Sequence, residues 1–226
     1  MKIRLAIATC LLSVLSLKTA VGASVVFGIP LPNDEGVTTD LFDVAQGTVV
    51  TSSSPLFPGF DARSTFGYDS QAIEWSRTIF SDSPRATDFI NFQTAQSINL
   101  AGYKLILGED IGTAKRSATA IRLYAGGDVN NLQLVSSANI EQTYLAQYGS
   151  VQIGITDTLD LQNVQFFRLE LDRTHLTGFG GPRVIELDGF GTVVPEPSSW
   201  ILGLAGAIAV AVFGRNRRVS RPQRRS

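Results

Sequence analysis

The chain has 226 residues, 44% of them hydrophobic, and a formal net charge of −1, which excludes both a disordered polar polymer and a strongly basic nucleic-acid binder. The near-neutral sum hides an uneven distribution. Between Ser24 and Val193 there are 10 basic and 19 acidic residues, a balance of −9, whereas six arginines crowd the C-terminal end. A segment this acidic should stay soluble and has no nucleic-acid partner, because such binding rests on cationic contacts.

The N-terminus is read first. Lys2 and Arg4 precede an uncharged apolar run of 13 residues, Leu5 to Leu17, and Val21-Gly22-Ala23 follows with small residues before Ser24. This is the layout of a secretory signal peptide over residues 1–23, and the run is short for a membrane span. The single cysteine, Cys10, lies inside the run and leaves with it, so the exported segment uses no disulfide. About 170 residues remain before the tail, enough for one domain with its own core.

From Ser24 to Val193 the pattern is β. Gly, Ser, Thr and Asn punctuate the segment at short intervals, and no long stretch of 3.6-residue period stands out. Tyr103, Leu105 and Leu107 alternate with Lys104 and Ile106, Ile121 and Leu123 with Arg122 and Tyr124, and Val151, Ile153 and Ile155 with Gln152 and Gly154. Phe167, Leu169 and Leu171 alternate with Arg168, Glu170 and Asp172, and Ile185 and Leu187 with Glu186 and Asp188. One face in and one face out is the signature of antiparallel sheets sharing a core. Turns are predicted at Gly108–Gly112, Gly126–Asn131 and Gly178–Pro182. The expected fold is an all-β antiparallel sandwich.

Short segments in this region carry a resemblance. Residues 43–54 (DVAQGTVVTSSS), 88–92 (DFINF) with 97–103 (SINLAGY), 119–125 (TAIRLYA), 166–171 (FFRLEL) and 184–190 (VIELDGF) look like successive strands of discoidin-type domains with the galactose-binding-like jelly-roll fold. The resemblance spans about Asp40 to Val193, but the chain lacks the paired cysteines of many animal members. It implies an oxygen-ligated calcium held by a closing-strand acid and an early loop acid. On that analogy Glu186 and Asp61 are the metal candidates, and hard carboxylate oxygens suit Ca2+. For sugar binding, where aromatic faces stack on pyranose rings and polar groups fix orientation, the candidates are Trp75, Tyr124 and Arg122, with Tyr68.

Signals for catalysis are thin. His175 is the only histidine, and no Gly-x-Ser-x-Gly elbow presents a serine to it. Glu109-Asp110 reads as a solvated turn, and Glu170 and Glu186 are expected on neighbouring closing strands. The expected class is therefore non-catalytic.

The C-terminal tail is the most specific part. Val194-Pro195-Glu196-Pro197-Ser198-Ser199-Trp200 runs into an apolar stretch, Ile201 to Gly214, and then Arg215, Arg217, Arg218, Arg221, Arg224 and Arg225. Pro197 to Gly214 is 18 residues without charge, and as a helix it would reach about 27 Å, enough to cross a hydrocarbon core. Arginines after such a span resist translocation and act as a stop-transfer element. The order closely resembles the PEP-CTERM sorting tail of exported Gram-negative proteins. The resemblance implies that an exosortase-type transpeptidase reads Pro195, Glu196 and Pro197 at the inner membrane. It further implies delivery to the cell envelope or extracellular matrix, with exopolysaccharide as partner. The leading functional class is a non-catalytic carbohydrate-binding or adhesion module, calcium-assisted if at all; the two others are a purely structural matrix protein and an enzyme acting on polysaccharide.

Overall fold

A computed structural model describes residues 22–28, 40–67, 78–108, 116–141, 152–174 and 180–195. Eight strands form an antiparallel network: β1 (Ser24–Phe27), β2 (Val49–Ser53), β3 (Thr78–Ile79), β4 (Thr87–Gly108), β5 (Ala118–Gly126), β6 (Gln133–Asn139), β7 (Ile153–Arg173) and β8 (Arg183–Val193). The signal run, the candidate span at about 200–214, the arginine end and the expected turns at 109–112 and 178–179 lie outside the described residues. Among the described residues no helix is long and apolar enough to cross a membrane.

Two strands of unusual length organise the rest. β4 and β7 have 22 and 21 residues, and they pair with each other from Thr87↔Asp172 to Leu107↔Ile153. The sequence suggests separate strands on either side of residue 95 and of residue 160. Each proves to be one continuous strand that bends. The ladder is interrupted between Gln93↔Phe166 and Ile98↔Val164, where β4 carries extra residues, and shifts twice more before Gly102. Such bulges bend and twist a strand without a loop. On the β7 side Asn163 adopts φ 56°, a left-handed conformation asparagine tolerates better than most residues, and its N–H donates to Asn99 Oδ1 at 3.0 Å.

The bend divides the network into two layers. One runs β2-β4-β7-β5-β6 through residues 87–93 of β4 and 166–173 of β7. The other runs β3-β8-β4-β7-β1 through residues 98–108 and 153–164. Both lateral openings are bridged. On one side Leu56 and Phe80 form a bridge, with Phe57 N donating to Ile79 O and Ser81 N to Pro55 O, both at 2.9 Å. On the other, Ala23 N donates to Ser137 O at 3.3 Å.

Between the layers lies one apolar cluster to which both contribute. Phe92 stacks on Phe167 at 5.0 Å, and Phe42 meets both edge-on at 5.1 and 4.9 Å, arrangements favoured by the ring quadrupole. The segment carrying Phe42 is pinned by Asp40, whose Oδ1 accepts from Phe42 N at 2.8 Å and from Gly189 N at 2.7 Å. A side chain at Gly189 would put Cβ 2.7 Å from the Phe42 ring, so only glycine lets β8 lie so close. Residues 43–48, expected to open a strand, instead include a 3-10 turn, Val44–Gln46, capped by Asp43. β2 starts after it.

At one end of the sandwich Asp88 and Arg173 are fully buried, with Nε–Oδ2 at 2.7 Å and Nη2–Oδ1 at 3.1 Å. Arg173 also donates to the carbonyls of Ser83 and Ser81, so nearly every donor of the fork is used. Removing Asp88 strands the buried Arg173 charge, which costs about 3–5 kcal/mol, whereas removing Arg173 leaves Asp88 with Arg85 at 3.4 Å. Asp88→Ala is expected to lose stability of that order in urea unfolding, and Arg173→Ala to lose less. Removing both partners together should cost less than the sum of the two single losses.

Candidate functional site

Strand alternation presents a second, polar face on the layer β2-β4-β7-β5-β6. With Ile90 and Phe92 of β4, Phe167, Leu169 and Leu171 of β7, and Ile121 and Leu123 of β5 in the core, the intervening residues point the other way. Cross-strand pairing then puts them in rows: Arg122 beside Glu170 and Glu170 beside Phe89; Tyr124 beside Arg168 and Arg168 beside Asn91; Asp172 beside Thr87. Neighbours on one face of a sheet lie close enough for direct side-chain contact.

The contacts form one network. Arg122 grips Asp172 with two parallel bonds, Nη1–Oδ2 at 2.7 Å and Nη2–Oδ1 at 2.6 Å, and donates Nε to Glu170 Oε2 at 3.0 Å. Tyr124 OH donates to the same Glu170 oxygen at 3.2 Å. Arg168 Nε donates to Glu170 Oε1 at 2.7 Å, while its guanidinium lies 4.3 Å from the Phe89 ring centre. Thr87 Oγ1 donates to Asp172 Oδ1 at 2.7 Å, and Asn91 Nδ2 to Ser52 Oγ at 2.9 Å. The side chains remain accessible: Arg122 is 28% exposed, Arg168 34%, Asp172 30% and Glu170 16%. Bidentate arginine–carboxylate pairs are geometrically specific, so this face offers fixed donors and acceptors at little ordering cost.

The arginines set the charge state. The Arg122 bond to Asp172 holds that carboxyl below the usual carboxylate range against partial burial. At Glu170 burial pushes upward, but the bonds and charges of Arg122 and Arg168 outweigh it and the net shift is downward. Arg122 is pushed upward, first by its bond to Asp172. Glycoside hydrolysis needs one carboxyl protonated as the acid, whereas the arginines favour the ionised form of both of these.

Of the sugar candidates, the structure brings Arg122 and Tyr124 together through Glu170. Trp75 and Tyr68 lie outside the described residues, as do His175, Glu109, Asp110, Glu196, Pro197, Arg215, Arg217 and Arg218. Pro195 is the last described residue. Arg168, Asp172, Phe89, Asn91 and Thr87 belong to the site but were not singled out from sequence. The alternation in Arg168-Leu169-Glu170-Leu171-Asp172 gave their facing, whereas their partners depend on strand order.

The metal candidates lie along one edge. Thr78 Oγ1 donates to Asp61 O at 2.9 Å, and Thr78 pairs with Val184, two residues before Glu186. Asp61, however, caps the 3-10 turn Ala62–Phe66. Its Oδ1 accepts from Arg63 N at 2.9 Å and its Oδ2 from Arg63 Nε at 2.9 Å and Nη2 at 2.5 Å. The Arg63 side chain holds Asp61 below the usual carboxylate range. A cation there would have to displace a guanidinium, and this donor set does not fit calcium. Glu186 stands off the apolar cluster, as expected, but is 5% exposed rather than solvated. Among the described residues no three acidic, histidine or cysteine side chains gather as a metal shell.

Comparison with known proteins gives the fold. No protein-family model matches the chain, and no curated protein sequence matches it. Among solved structures, the carbohydrate-binding module CBM32-3 from a family 31 glycoside hydrolase of Clostridium perfringens aligns with a TM-score of 0.50 at 14% identity, over 70% of this chain and 97% of that one. The chain shares the antiparallel β-sandwich fold of that module. The lectin domain of lectinolysin complexed with Lewis B antigen aligns at 0.47 with 16% identity, over 67% of this chain and 97% of that one. Allantoicase from Saccharomyces cerevisiae aligns at 0.49 with 12% identity, over 67% and 42%.

The ion pairs of the polar face make a pH prediction. Both carboxyls are lowered by folding, so their contribution is full above the unfolded values of about 3.9 and 4.3 and is lost as pH falls through the lower folded values. Arg122→Met is expected to cost about 1–3 kcal/mol at neutral pH. Its melting temperature should approach that of the wild type as pH falls below the unfolded values and through the lower folded ones. A gap unchanged between neutral and acidic pH would remove the carboxylates from the account.

Proposed function

We propose that this protein is an exported, non-catalytic carbohydrate-binding module that engages surface polysaccharide through the polar face of β4, β7 and β5. The carrying observation is the network in which Glu170 and Asp172 lock Arg122, Tyr124 and Arg168 into one accessible array. A pyranose presents hydroxyls that both donate and accept, and such an array answers both without rearrangement. Two guanidiniums and two carboxylates cancel on this face, and the segment around it is acidic, so the ligand class is a neutral glycan rather than a uronic acid polymer.

The tail gives the location. β8 ends at Val193, Val194 N is held by Ser97 O at 2.8 Å, and the Pro195-Glu196-Pro197 motif starts at the next residue. Support for a sorting role comes from this immediate handover from folded strand to proline-stiffened peptide, since proline fixes its own φ and restricts its predecessor. An exosortase-type transpeptidase would read the motif while the apolar stretch spans the inner membrane, leaving the domain in the envelope or matrix.

One preparation tests both parts. Protein recovered from the surface of an exporting Gram-negative host should lack Arg215 to Ser226 by intact mass, and should retain them in the membrane fraction when Glu196→Ala and Pro197→Ala are combined. On a glycan array the recovered protein should bind neutral polysaccharides with little salt dependence. Arg168→Ala and Tyr124→Ala should each weaken binding about tenfold, equivalent to about 1.4 kcal/mol. Binding to no glycan would leave the structural matrix role, and sugar release from polysaccharide would establish an enzyme.

A further inference from the structure

The seam closed by Ala23 has a consequence for maturation, and it rests on the reading of residues before it as an export leader. Ala23 N donates to Ser137 O at 3.3 Å, and Ala23, Val25 and Phe27 all pack against the core cluster. The pairing Ser24↔Thr156 brings Ala23 level with Asp157 of β7. Asp157 Oδ2 accepts from Ser136 Oγ at 2.5 Å, and that hydroxyl lies 2.9 Å from Tyr103 OH. Beside them is a surface cavity of about 380 Å³ lined by Gly22, Ser24, Thr156, Asp157 and Thr158. Asp157 and Tyr103 are the titratable groups among these described neighbours, and burial pushes Tyr103 up to about 12, so Asp157 alone supplies charge there.

Two cleavage frames compete in the sequence. A cut before Ser24 puts Val21 and Ala23 at the positions where small residues are read, whereas a cut before Ala23 puts Ala20 and Gly22 there. Both frames fit that pattern, and the seam favours the second: it keeps Ala23, whose loss would remove the backbone bond to Ser137.

We propose that the leader is cut between Gly22 and Ala23, one residue before the boundary expected from sequence, and that the α-ammonium so created on Ala23 closes this seam of the sandwich by donating to Ser137 O and pairing with Asp157. Water adds across the Gly22–Ala23 amide in the host's signal-peptidase reaction. Gly22 leaves as a carboxylate, and the freed amine of Ala23 takes a proton. The uncut chain has only a neutral amide at this position, so maturation adds a charge where Asp157 waits for one.

The test uses the full chain expressed in an exporting Gram-negative host. Mass spectrometry of the N-terminal peptide should show a start at Ala23. Competitive acetylation of the α-amine across a pH series should then give a midpoint about one unit above the ordinary 7.7–8.0 in the native protein. In urea and in Asp157→Asn the midpoint should return to the ordinary value. A start at Ser24, or an ordinary midpoint in the native wild type, overturns the proposal. A retained leader overturns it too and removes the export reading with it, whereas glycan binding is scored separately. The native-against-urea comparison needs no variant, so the ion pair stays falsifiable if Asp157→Asn fails to fold.

Discussion

Everything in this fold hangs on two strands that stay paired through a bend, and the buried Arg173–Asp88 pair fixes where that pairing starts. With both side chains fully buried, the charges are stable because they meet each other, Arg173 also donates to backbone carbonyls, and Asp88 also pairs with Arg85 at 3.4 Å. Arg173 is the last residue of β7, and its N–H also donates to Ala86 O at 2.9 Å, just before β4 begins. The pair thus sets the register Thr87↔Asp172. A one-residue slip would turn Phe167, Leu169 and Leu171 outward and the charged residues inward.

That register produces core and candidate site together. The same alternation that stacks Phe92 on Phe167 places Glu170 beside Arg122 and Arg168 beside Asn91 on the opposite side. Packing holds one face rigid, so the polar face inherits fixed spacing from it. Distance from the chain ends matters as well. The face lies on the layer built from residues 87–93 and 166–173, whereas β1 and β8, the first and last strands, pair on the other layer.

Much of this was legible in the sequence, and for physical reasons. Period-two alternation gave the inward and outward sets of β5 and β7 because a buried face tolerates no other order. It also gave Arg122 and Tyr124 as outward partners. What it could not give was the continuity of β4 and β7, since the bend is made by a bulge near Gln93–Ile98 and a left-handed Asn163, and neither is a strong turn signal. Nor could it give the partners of Arg122, because Glu170 and Asp172 stand about fifty residues away and meet it only through strand order. Asp61 shows the opposite failure. Read alone it is a free loop acid, yet Arg63 two residues later occupies both of its oxygens. In β8 a register shift between Val184 and Glu186 puts Val184 and Leu187, not the expected Ile185, in the core cluster, and Ile185, Glu186 and Asp188 are all buried, which a one-sided sheet would not predict.

The central claim is that sugar meets the Arg122–Glu170–Arg168 face. The most direct measurement is an NMR titration of the arginine Nε–Hε signals with a neutral oligosaccharide that the protein binds. The account predicts saturable shifts at Arg122 and Arg168, with Arg173, buried at the end of the sandwich, unmoved. Saturable binding that leaves Arg122 and Arg168 unshifted and perturbs residues elsewhere would contradict it.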